Sequence, residues 1–219
     1  DLPGSPTCPP VSGKTWEELW SARPRDSQAA IFSFYQEIGA WLAFRQVVRN
    51  RWRLFAFVAR HLPSTGTLVE YGAGVAPISH WIATHEPGCP RFFFLTDVPS
   101  EHFTFGQYRL RGRAAFLAMP VKPGALPELP PCDLACIMET LEHVPDPVAV
   151  IRHVGAALTP GGRLFEDFGP HADPHAADLP QAQVERPAVY AYLVKHFTLE
   201  AGRTWECPDG GGIRQWRKR

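Results

Sequence analysis

Neither sign of charge predominates in this 219-residue chain: lysine plus arginine number 22, and aspartate plus glutamate 22. The balance removes the overall basic field on which nucleic-acid binding or docking to an acidic membrane draws. No apolar run approaches the roughly 20 residues needed to span a bilayer. The opening Asp1-Leu2-Pro3-Gly4-Ser5-Pro6 lacks the basic and apolar parts of a signal peptide. It also lacks a methionine, as expected of a trimmed chain or a piece of a longer one. No internal repeat is visible. A regular, even set of cysteines is missing too, since Cys8, Cys89, Cys132, Cys136 and Cys207 are scattered and odd in number. A reducing, cytoplasmic setting is therefore expected. Cys132 and Cys136 read as sharing one face of an apolar strand, in a core role.

What is present suits one domain with one core, because 45% of the residues are apolar. Residues 1–13, rich in proline, glycine and serine, read as a mobile arm. Residues 14–63 read as N-terminal helices. From Ser27, Ala30, Ile31, Phe34, Ile38, Trp41 and Leu42 recur at helical spacing. The pattern runs on, with a break near Asn50, to the stop at Leu62-Pro63. Aromatics on it, Tyr35 and Trp41 among them, are either plain core or the wall of a substrate pocket. Arg45, Arg49, Arg51 and Arg53 form either a solvated helix face or, with Arg45 foremost, a seat for an anionic substrate.

The centre of the chain is Thr67-Leu68-Val69-Glu70-Tyr71-Gly72-Ala73-Gly74-Val75-Ala76. An apolar strand ends in a carboxylate, turns through two glycines and enters a helix at Pro77, the geometry of a nucleotide-cofactor cradle. Arg91–Asp97 is a second apolar strand ending in a carboxylate. Cys132–Glu139 is another, running into Glu139-Thr140-Leu141-Glu142-His143-Val144-Pro145-Asp146-Pro147. Leu158–Glu166 gives helix end, turn and a further strand. Strands are expected near 67–71, 91–96, 114–118, 132–138 and 162–168, with helices near 77–86, 100–110, 147–157 and 186–196. A terminal hairpin follows, with strands at 197–206 and 212–216 joined by the turn Pro208–Gly211. Alternating strands and helices make an α/β fold with a parallel sheet.

This succession resembles the class I S-adenosylmethionine-dependent methyltransferases, over about residues 65–170. The motif from Glu139 to Pro147 is similar to that of the branch acting on small molecules. The resemblance implies a Rossmann-like seven-stranded sheet, mostly parallel with a C-terminal antiparallel hairpin. Helices lie on both faces, and residues 14–63 form a lid over the methyltransferase domain of residues 64–219. It implies S-adenosyl-L-methionine as cofactor, S-adenosyl-L-homocysteine as product and a small-molecule acceptor methylated at oxygen or nitrogen. No nucleic-acid or membrane partner is expected, and the oligomeric state is left open.

Carried onto this sequence, the resemblance gives Glu70, Gly72, Ala73 and Gly74 to the methionine end of the cofactor. Ala76 stands where many relatives have a third glycine. Asp97 would accept the ribose hydroxyls and Val98 pack on the adenine. The aspartate many relatives place after the third strand is missing, so backbone groups near Met119 would meet the adenine amino group. Met138 and Glu139 sit beside the cofactor, and His143 takes a proton from the acceptor. Glu142 reads as a helix-start carboxylate. The loop Gly169–His175 reads as a substrate gate carrying His171, rather than a metal site. No Cys-x3-Cys-x2-Cys cluster supports radical chemistry. The competing readings are a non-catalytic binding or scaffold domain of the same fold, and an NAD(P)-dependent dehydrogenase.

Overall fold

The structure, a computed structural model, describes residues 16–25, 27–48, 51–87, 91–169, 178–202 and 212–219. The arm expected at 1–13, the loop holding His171 and the turn at 208–211 lie outside these. Among the described residues seven strands form one sheet, in the order β3-β2-β1-β4-β5-β7-β6. Strands β1 (Thr67–Tyr71), β2 (Phe92–Asp97), β3 (Ala115–Pro120), β4 (Cys132–Ile137) and β5 (Leu158–Glu166) run parallel. The pair β6 (Phe197–Ala201) and β7 (Arg214–Lys218) is antiparallel, and β7 inserts between β5 and β6.

Alternation along the central strands feeds two cores. Val69, Tyr71, Phe94, Ala135 and Ile137 face one side, and Leu68, Phe93, Leu95, Leu134 and Cys136 the other. The first side is covered by α1 (Trp16–Ser21), α2 (Gln28–Glu37), α7 (Pro147–Ala157) and α8 (Pro180–His196). The second is covered by α4 (Trp52–Ala59), α5 (Pro77–His85) and α6 (Glu101–Leu110). Between them α3 (Gly39–Val48) reaches from the first core toward α6. Pro77, Pro147 and Pro180 occupy first-turn positions, where their missing N–H costs nothing. Ser27, Ser100 and Asp146 cap α2, α6 and α7 by accepting from the amide three residues on.

Three expectations need correction. The long N-terminal helix is broken at Ile38, between α2 and α3. The apolar spacing runs through that point, so the break comes from packing: a Cβ on Gly39 would lie 2.9 Å from the Glu101 amide nitrogen. Cys132 and Cys136 are both buried and free, but they belong to opposite cores. A register shift between Cys132 and Leu134 reverses the alternation at the start of β4. Finally, α8 begins at Pro180 and runs through Pro187 rather than starting near 186.

The hairpin is locked to β5 by a buried ion pair. Glu166 accepts from Arg214 Nε at 2.6 Å and Nη2 at 2.8 Å, from Trp216 Nε1 at 2.9 Å and from the Phe168 amide at 2.8 Å. Both side chains are almost wholly buried. Removing one partner strands a buried charge, so Glu166→Gln should destabilise the fold by about 3–5 kcal/mol. Replacing both residues with methionine should recover most of that loss. Urea unfolding midpoints of the three proteins check this.

Candidate active site

The strand order reverses between β1 and β4, and the crevice of an open α/β sheet lies at the carboxyl ends of such a pair. A cavity of about 790 Å³ opens there, walled by residues that follow β1, β2, β4 and β5 and by α2 and α3. The volume lies in the range of cofactor and ligand sites.

Its first side is the glycine turn. Gly72, Gly74 and Ala76 have φ of 70°, 50° and 50°. Ala76 thus adopts the left-handed conformation in place of the glycine expected there, at a cost of about 1–2 kcal/mol. A Cβ on Gly72 would lie 2.0 Å from Thr140 Oγ1, so the threonine side chain packs directly on the backbone of the turn and only glycine fits there, beside the cavity that both residues line. The Gly72 and Ala73 amides donate to the Thr96 carbonyl at 2.8 and 3.0 Å. The Gly74 amide donates to Asp97 Oδ2 at 2.6 Å, and the Val98 amide to Asp97 Oδ1 at 2.6 Å. Each Asp97 oxygen thereby keeps acceptor capacity, and the residue lines the cavity. A nucleoside's paired hydroxyls match such an acceptor, so the Asp97 carboxylate and the exposed main chain at Gly72 fit the cofactor implied above.

Glu70 stands behind this turn. Its carboxylate accepts from the Ile78 and Ser79 amides at 3.2 and 3.0 Å and from the Ser79 hydroxyl, anchoring the N-terminus of α5. It is buried and does not line the cavity. Burial pushes its pKa up, against the lowering effect of the Ser79 and Ile78 hydrogen bonds and of Arg109. Ala73 and Gly74 are likewise buried in the turn without lining the cavity, and Met119 lies on β3 away from it. Val121, whose amide donates to the Asp97 carbonyl at 2.9 Å, joins Val98 on the wall instead.

The second side follows β4 and β5. Met138, Glu139 and His143 line the cavity. Glu139 has φ of 49°, its amide donates to Asp167 Oδ1 at 2.7 Å and its carboxylate pairs with Arg51. The His143 ring lies edge-on to Trp20 and Tyr35, with centroids 5.5 and 6.2 Å away. Glu142 is buried, its Oε1 3.9 Å from His143 Nε2. Burial first, then the charges of Asp167, Asp178 and Glu139, raise its pKa well above the carboxylate range. Burial likewise raises Asp167 to about 7.

Of the residues expected to meet substrate, Tyr35 and Arg45 line the cavity, whereas Trp41 lies behind Arg45, its ring 5.4 Å from the guanidinium carbon. His171 lies outside the described residues. Sequence reasoning missed Gln46, Thr140 and Asp167. Asp167 carries a legible signal, since it directly follows an apolar strand of a parallel sheet. Gln46 carries none: its Oε1 accepts from the Val75 amide at 3.1 Å across 29 positions of sequence.

A family model described as "Methyltransferase domain" matches residues 42–206. The chain belongs to the class I S-adenosylmethionine-dependent methyltransferases. The fold is shared with an O-methyltransferase family protein from Burkholderia thailandensis, at 12% identity over 93% of this chain and 67% of that one, TM-score 0.60. It is also shared with the N-methyltransferase NodS of Bradyrhizobium japonicum in complex with S-adenosyl-L-homocysteine, at 14% identity over 79% and 90%, TM-score 0.53. A ubiquinone biosynthesis O-methyltransferase from Xanthomonas euvesicatoria is 58% identical over 33 residues, only 15% of this chain and 14% of that protein.

The Asp167 carboxyl gives this methyltransferase a pH signature. Folding moves its pKa from 3.8 to about 7, so the folded chain binds more protons between those values. Stability then falls as pH rises from about 4 to 7. Asp167→Asn keeps the acceptor for the Glu139 amide but removes the titration. Its urea midpoint should decline less than the parent's between pH 5 and pH 8.

Proposed function

We propose that this chain transfers a methyl group from S-adenosyl-L-methionine to an oxygen or nitrogen of a small-molecule acceptor. The observation carrying this reading is one continuous cavity with Gly72, Asp97 and Val98 on one side and His143 and Tyr35 on the other. Bound cofactor supplies a methyl group already activated by a sulfonium charge. The protein's work is then to hold two reactants in line, exclude water and manage one proton.

Asp97 anchors the ribose hydroxyls and the main chain at Gly72 gives the cofactor close approach. Glu70 and Gln46 act through the turn, the first by fixing α5 and the second by tying α3 to the Val75 amide. His143 accepts the acceptor's proton, held among Trp20, Tyr35 and Glu142. Helices α2 and α3 roof the cavity through Tyr35 and Arg45. The name of the ubiquinone biosynthesis O-methyltransferase supports a small acceptor, as does the O-methyltransferase family 2 protein of Planctomyces limnophilus described in complex with apigenin.

The dehydrogenase reading is disfavoured by β7, which inserts antiparallel between β5 and β6 and departs from the dinucleotide-binding order. A reading in which this fold transfers no methyl group has a specific observation on its side. SpnF, described as a [4+2]-cyclase, has this fold at 18% identity, covering 68% of this chain and 58% of its own, TM-score 0.50. Fold therefore does not dictate methyl transfer.

Calorimetric titration separates these readings. S-adenosylhomocysteine should bind, NADH should not, and Asp97→Ala should weaken the first by tenfold or more. His143→Ala should leave that binding within about threefold while lowering kcat by about 10²–10⁴ on any acceptor found. Binding of NADH alone would reject the proposal, and an unaltered kcat would remove His143 from it.

A further inference from the structure

On the methyltransferase reading, Asp97 and the main chain at Gly72 meet the nucleoside of the cofactor. The other end of that molecule is an amino acid, with an ammonium and a carboxylate on one carbon. Beside Gly72 the cavity wall carries the same two charges as a pair. Thr140 packs on the Gly72 backbone, and the residue before it, Glu139, holds Arg51 through its carboxylate. All four residues line the cavity. The contact ties the loop after β4 to the residue preceding α4, 88 positions earlier. Its side chains are 35% and 44% exposed, and an ion pair so open to solvent adds little to stability. Glu139 is nevertheless held in one place. Its backbone is left-handed, with φ of 49°, and its amide donates to Asp167 Oδ1 at 2.7 Å. Backbone of this kind persists only where its surroundings enforce it. Other charges on the wall are engaged differently. Arg186 holds Asp178 at 2.9 Å, Asp97 accepts two amides at 2.6 Å, Glu142 Oε2 is shielded from solvent, and the Arg45 guanidinium lies over the Trp41 ring.

We propose that the Arg51–Glu139 pair is the seat of the cofactor's amino-acid end: the two side chains part, Arg51 takes the carboxylate and Glu139 the ammonium. The inference rests on the methyltransferase reading and adds to it the residues that recognise this end of the ligand. A guanidinium presents a planar fork that a carboxylate meets with two parallel bonds, whereas a compact ammonium suits a single carboxylate. One exposed pair is exchanged for two, so every charge stays matched. A ligand carrying only one of the charges leaves the opposite side chain without its partner. The pair therefore selects for the complete amino acid.

The test is calorimetry on the full chain with four ligands. These are S-adenosylhomocysteine, its deaminated analogue (carboxylate only), its decarboxylated analogue (ammonium only) and methylthioadenosine, which has neither group. S-adenosylhomocysteine should bind at least tenfold more tightly than methylthioadenosine. Arg51→Met should weaken S-adenosylhomocysteine and the deaminated analogue by tenfold or more, and the other two by no more than threefold. Glu139→Gln should weaken S-adenosylhomocysteine and the decarboxylated analogue, and spare the other two. A merely structural pair would instead lower all four affinities together, methylthioadenosine included, and that result would overturn the proposal. So would equal binding of all four by the parent, or a carboxylate preference removed by Arg45→Met and kept in Arg51→Met. If neither S-adenosylhomocysteine nor methylthioadenosine binds the parent, the cofactor reading itself falls and the proposal with it.

Discussion

The amide of Gly74 donates to the carboxylate of Asp97, and that contact joins the ends of two neighbouring parallel strands. A turn with left-handed backbone at Gly72, Gly74 and Ala76 exposes its own amides and would be free to open. Instead, the Thr96 carbonyl takes the Gly72 and Ala73 amides, Asp97 takes Gly74, and Gln46 takes Val75. The amides of residues 72–74 are thereby fixed by β2 and that of Val75 by α3, while the Ala76 amide donates within the turn to the Ala73 carbonyl at 2.7 Å. The shape of the cavity follows, because the turn is one wall and each tether is rooted in another.

The same economy holds at α5. Its first-turn amides would face a buried environment unsatisfied, and Glu70 meets two of them from the strand below. Arg109 completes the brace from α6, donating to the Val75 carbonyl and to His80 Nδ1, both at 2.8 Å. Burial, with Arg109 and Arg113 near, holds His80 down at about 4, so its ring stays neutral and able to accept that bond at ordinary pH. Gly106 allows α6 to approach, since a Cβ there would lie 2.4 Å from the Gly74 carbonyl oxygen. Burial and hydrogen bonding thus make one rigid unit of β1, β2, α5 and α6, on which a cofactor meets preformed groups.

The fold was legible because strand and helix periods, proline starts and glycine turns agree along the chain from Thr67 to Ala157. The helix break at Ile38 and the inverted faces of Cys132 and Cys136 were not, since both depend on neighbours distant in sequence. At the site, sequence located the strand-end residues. It could not say which way each turned. Glu70 and Asp97 look alike as terminal carboxylates, yet one points back into a helix N-terminus and the other lines the cavity. Glu142 read as a helix-start carboxylate, but Asp146 caps α7 while Glu142 is buried beside His143.

The most direct test of the account is a crystal structure of the protein with S-adenosylhomocysteine. The account predicts the ribose hydroxyls on Asp97, the adenine beside Val98 and Val121, and the sulfur turned toward the side walled by Tyr35 and His143. Ligand density elsewhere on the molecule, or a ribose held by a residue other than Asp97, would contradict it.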